Sequence, residues 1–144
     1  MKIHKIYKKQ PSDSWTIRLY GPDRLNANTN FDLRDSKKRL SDLSDDELKL
    51  YHTLSKPYQN ITINYPGYIG FDREYLNDNT LDIILSFNTD LNAVDFAKQY
   101  IKTINDETNP VVSNFMNWVN TDNNIPKYII TYKVEDNEGN ITEI

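Results

Sequence analysis

Leu81, Ile83, Leu85 and Phe87 fall on every second position of one short segment, and Ile84 lies between them. A side-chain period of two belongs to a β-strand, so these four residues share one apolar face. Ile84 makes the other face partly apolar too, the pattern of a strand with burial on both sides. A chain holding such a strand must build a sheet and cover it.

Several segments have the pattern of neighbours. Residues 2–8 and 14–20 read as two strands, because Trp15, Ile17 and Leu19 alternate with Thr16, Arg18 and Tyr20. Gln10-Pro11-Ser12-Asp13 supplies turn chemistry between them and predicts a hairpin. Residues 61–65 alternate as Ile-Thr-Ile-Asn-Tyr and predict a further strand, broken at Pro66-Gly67. Tyr68 to Phe71 resumes extended structure, and Asn77-Asp78-Asn79 is a turn cluster. Tyr128, Ile130, Tyr132 and Val134 share one side of a strand over 128–134. Beyond it, Asp136-Asn137-Glu138-Gly139-Asn140 offers a turn, with Gly139 free to take positive φ, and residues 141–144 close a terminal hairpin.

The cover comes from helices. Ser44-Asp45-Asp46-Glu47 has the spacing of a capping box, and its acids suit a positive helix start. Leu48, Tyr51 and Leu54 or Ser55 follow at helical spacing, and Pro57 predicts an end near Ser55. Asp90 or Asn92 caps a second helix with a stripe of Ala93, Ala97, Tyr100, Ile101 and Ile104, helped by Val94 and Phe96. Asn109-Pro110 is an N-cap and first-turn pair for a third helix. Its apolar face is Val111, Val112, Phe115, Met116 and Val119, with Trp118 near the edge. Residues 21–34 read as a long polar loop. The predicted order is β-β-α-β-β-α-α-β-β. That is a two-layer α+β domain over residues 1–144, with an antiparallel or mixed sheet of five to six strands and two to three helices.

Composition narrows the function. A chain of 144 residues can bury a core without staples. It has no cysteine, which removes disulfides, thiolate zinc ligands and a thiol nucleophile. A net charge of −4 argues against non-specific nucleic-acid binding. The basic N-terminus lacks an apolar stretch behind it, and no apolar run approaches a membrane span. The expectation is a cytoplasmic protein with no membrane contact. The chain holds 18 Asn, 15 Ile, 12 Lys and 10 Tyr against 3 Ala and 5 Arg. The abundant residues have AT-rich codons, which points to a low-GC bacterium or its phages and plasmids.

Catalytic patterns are thin. His4 and His52 stand apart, and neither carries a motif that fixes a general base or metal ligand. Asp72 and Glu74 would share a strand face, where carboxylate pairs serve acid–base chemistry or a divalent ion, or simply keep a surface soluble. In Asp136 to Asn140 the glycine is fourth, where a calcium loop needs it sixth. Gly21, Gly67, Gly70 and Gly139 build no phosphate loop. Lys2, Lys5, Lys8 and Lys9 suit an edge strand guarded against stray pairing. No catalytic residue, metal ligand or cofactor is assigned.

The most suggestive segment is an aromatic one, with Tyr58, Tyr65, Tyr68, Phe71 and Tyr75 among Pro57, Pro66, Gly67 and Gly70. Tyrosines on a Pro/Gly-shaped loop favour protein interfaces; the alternative is that they pack in the core. Together with Asp72, Glu74, Asp45, Asp46 and Glu47 they form the candidate partner-binding set. The leading expectation is a small acidic binding or inhibitory protein of a bacterial mobile element, of the anti-defence type or an immunity protein. An inhibitor of a CRISPR nuclease is one example. Its partner would be a nucleic-acid-processing enzyme or a toxin whose surface it occludes, without direct contact to nucleic acid. A phage assembly component, self-associating or docking through an exposed strand, comes second. An enzyme with an irregular site comes third.

Overall fold

The strand with the four alternating apolar residues lies second in a five-stranded sheet. The computed structural model describes residues 1–13, 44–121 and 128–144. In chain order its elements are β1 (Lys2–Lys8), α1 (Asp45–Ile63), β2 (Tyr68–Asn77), β3 (Thr80–Phe87), α2 (Ala93–Ile104), α3 (Pro110–Thr121), β4 (Ile129–Glu135) and β5 (Ile141–Glu143). The strands run in the spatial order β2-β3-β1-β4-β5, and every neighbouring pair is antiparallel. This is the expected α+β architecture, with three helices.

Side-chain alternation sorts the two faces. Leu81, Ile83, Leu85 and Phe87 of β3, Ile3 and Tyr7 of β1 and Val134 of β4 form one buried face. Against it lie Phe96, Ala97, Tyr100 and Ile104 of α2, at helical spacing. The caps are those the sequence offers. The Asn92 side chain accepts from the Asp95 amide at 3.1 Å, and Asn109 Oδ1 accepts from the Val111 amide at 3.0 Å. The β2–β3 turn is held by the Asn79 amide donating to Asn77 Oδ1 at 2.9 Å.

A second cluster joins Tyr58 of α1 to Val112, Phe115 and Trp118 of α3. The two clusters are tied by buried polar contacts. Tyr58 Oη donates to the Ile104 carbonyl at 2.9 Å, and Thr62 Oγ1 meets Tyr100 Oη at 2.8 Å. These bonds satisfy groups that would cost free energy if buried alone.

β1 is not the guarded edge strand that its lysines suggest, because it lies between β3 and β4 and pairs with both. Three further expectations need correction. α1 does not stop near Ser55; it passes through Pro57 and continues to Ile63. The strand predicted over 61–65 is therefore absent, and its place in the order is taken by β2. The cause is tertiary. Ser55, Tyr58, Gln59 and Thr62 are all buried, and their spacing is helical. The Tyr58 ring also stacks on Phe115 at 4.2 Å. These gains outweigh a proline in the helix interior, a cost of about 3 kcal/mol relative to alanine. The alternation of Ile61, Ile63 and Tyr65 was too short to tell the two periods apart.

The third of these is Trp118, which lies within the α3 face at 9% exposure. Val111, Met116 and Val119 flank the cluster as half-buried residues. The strand predicted at 14–20, its hairpin with β1 and the loop at 21–34 lie outside the described residues. Among the described residues no helix is long and apolar enough to cross a membrane.

Candidate functional site

The sheet face turned away from α2 carries most of the ionisable side chains of the strands. The register fixes rows across it, because residues directly opposite in an antiparallel pair share a face. One row runs Asp72, Ile84, His4, Lys133, Glu143 from β2 to β5. The next runs Glu74, Asp82, Ile6, Thr131. A third holds Ser86, Lys2 and Glu135.

His4 lies in the row between the other two and reaches toward both. Its Nδ1 lies 2.8 Å from Asp82 Oδ2 on β3, and its Nε2 lies 4.0 Å from Glu135 Oε2 on β4. The contact with Asp82 sets the orientation of the ring. On the other side of the ring, Nε2 faces Glu135. Asp82 is only 5% exposed. Its Oδ1, like His4 Nε2, is closed to solvent and makes no hydrogen bond. A carboxylate holding an imidazole in this way is the arrangement that bases and metal ligands use. Here, however, Nε2 has no exposed surface for a substrate. Among the described residues no three His, Asp or Glu side chains gather to hold a metal ion.

Most of the aromatic candidates lie inward, and the segment that carries them is no loop. It is the end of α1, a short turn and then β2. Tyr58 is 3% exposed. Tyr65 meets Phe87, Phe96 and Tyr100 edge-on, and Tyr68 meets Phe87 at 5.7 Å. Phe71 and Tyr75 of β2 are half-buried against the main core. These rings pack in the core rather than standing on a loop surface. Asp72 and Glu74 are exposed on the opposite face of β2. Asp45 and Asp46 are exposed in the first turn of α1, and the Glu47 backbone lies in the same turn. The register sets Glu74 directly opposite Asp82 and leaves Ile84 between Asp72 and His4. His52 is exposed on α1.

Sequence reading missed Asp82. Its signal was there, an acid inside the apolar run Leu81-Asp82-Ile83-Ile84-Leu85. A buried carboxylate needs a partner. The identity of that partner depends on which strand lies next to β3, and no local pattern states it.

Comparison with protein-family models, with curated proteins and with solved structures found no match in any of the three.

Proposed function

We propose that this chain is a small acidic binding protein of the inhibitory kind, encoded by a bacterial mobile genetic element. It occludes a basic surface of a partner, such as a nucleic-acid-processing enzyme or a toxin. The observation that carries this reading is the β2–β3 corner of the sheet face turned away from α2. Asp72 and Glu74 stand exposed on the edge strand, and Glu74 lies directly opposite Asp82. Among the described residues, β2 and β3 carry no lysine or arginine on that face, and Arg73 points to the other. Like charges facing each other across a strand pair are unfavourable, so an arriving cation relieves repulsion as it binds. The AT-rich coding bias supports the assignment of source.

The test is a pull-down with the tagged chain from a low-GC bacterial lysate at two salt concentrations, beside the double variant Asp72→Asn/Glu74→Gln. The expected result is one protein enriched at low salt, lost at high salt, depleted by the double variant and inhibited by the wild-type chain in its own assay. Equal recovery by wild type and double variant would end the reading.

A second reading, a phage assembly component, draws on the opposite edge. Among the described residues β5 pairs with Lys133 to Glu135 alone, and Ile129 and Ile141 stand 60% and 61% exposed. Open apolar edges invite strand addition. Light scattering that finds only monomer at high concentration, with no virion partner, would remove it.

A further inference from the structure

On the other side of the molecule, the start of α2 and the turn before β2 enclose a groove of about 310 Å3. One wall is a single helical face, with Asn92, Asp95, Phe96 and Gln99 at successive helical spacings. The other is Tyr65-Pro66, and Leu91 stands at the rim, 69% exposed.

The groove is built before any guest arrives. The Tyr65 ring is locked edge-on between Phe96 and Tyr100 at 5.4 and 5.1 Å. The turn is closed by the Tyr68 amide on the Tyr65 carbonyl at 3.1 Å. It is pinned to the end of β3 by the Asn88 amide on the Gly67 carbonyl at 2.7 Å.

Its lining defines the guest. Most of it is apolar, and among the described residues that line it Asp95 alone is charged. Among the described residues no ion pair engages Asp95. A guest with a slender apolar stem and a cationic head satisfies both. A planar guanidinium also stacks on aromatic faces such as Tyr65 and Phe96 and offers several donors to one carboxylate. The volume is at the low end for small-molecule sites, which suits one side chain rather than a cofactor.

We propose that this groove seats an arginine side chain of the protein partner, with its stem against Leu91 and Phe96 and its head at Asp95. The inference rests on the binding-protein reading and adds an anchor point to it.

The test needs no partner. The full chain is titrated with N-acetyl-arginine N-methylamide and, separately, with the neutral citrulline analogue, and followed by amide chemical shifts. Saturable shifts confined to residues 65, 91–92, 95–96 and 99 are expected with the arginine probe. The citrulline analogue and Asp95→Asn should each weaken binding about threefold, and Leu91→Ala should weaken it independently. No saturable shift, equal affinity for the citrulline analogue, or shifts centred on Asp72 and Glu74 would overturn the proposal. Failure here leaves the pull-down result standing. A groove that binds arginine while the pull-down recovers nothing would instead separate the site from the proposed role.

Discussion

Two residues show how single positions fix turns. Gly67 has φ +82°, and a Cβ there would run into the Asn88 carbonyl oxygen. Both the backbone and the space demand glycine. Gly67→Ala should lower unfolding free energy by about 2 kcal/mol or more in urea titrations. It should also disturb the amide signals of Tyr65 and Asn88. Asp136 fixes the β4–β5 turn by accepting from the Glu138 and Asn140 amides, both at 2.9 Å, and from Asn140 Nδ2 at 3.0 Å. The Asn140 side chain, and then its amide, hold this carboxyl below the usual aspartate range. A lowered folded-state pKa gives stabilisation that is complete above the unfolded value and is lost as pH falls through the folded one. The β5 amide shifts should therefore hold through mildly acidic pH and drift only below the ordinary carboxylate range. Asp136→Asn should remove that drift. A wild-type drift already complete near the usual aspartate pKa would contradict the assignment.

Pro57 marks where local rules give way among the elements. It has no amide to offer the Thr53 carbonyl, yet α1 continues past it to Ile63. Pro57→Ala should restore that bond and raise the urea midpoint, by roughly 1 kcal/mol or more in free energy. An unchanged midpoint would mean that the proline already sits in a helix shaped around it. The strands with repeated alternation and the two capped helices, α2 and α3, were legible in the sequence because their signals are local. The extension of α1 was not, because the buried partners that sustain it, Phe115, Ile104 and Tyr100, lie far along the chain. The same limit applies to the site. Asp72 and Glu74 could be placed on one strand face from their spacing, whereas the contact of His4 with Asp82 depends on strand order.

At the scale of the molecule, the two apolar clusters are coupled through Tyr58 and Thr62. Phe115→Ala removes the ring on which Tyr58 stacks and should cost about 3–5 kcal/mol. The loss should appear as one shared transition in far-UV circular dichroism and tryptophan fluorescence. Two separated midpoints would show that the α1–α3 layer opens on its own. The face turned away from α2 ties three strands together at His4, while the inward face carries the hydrophobic load. The strand order has a further consequence for biosynthesis. β1 lies at the middle of the sheet, and its neighbours are residues 80–87 and 129–135. On the ribosome it leaves the exit tunnel long before either of them is made. The sheet therefore cannot zip up as the chain emerges, and Ile3 and Tyr7 wait without strand partners. Chaperone occupancy on the nascent chain should persist until β4 is out, and synthesis rate should affect soluble yield more than it affects the stability of the finished protein.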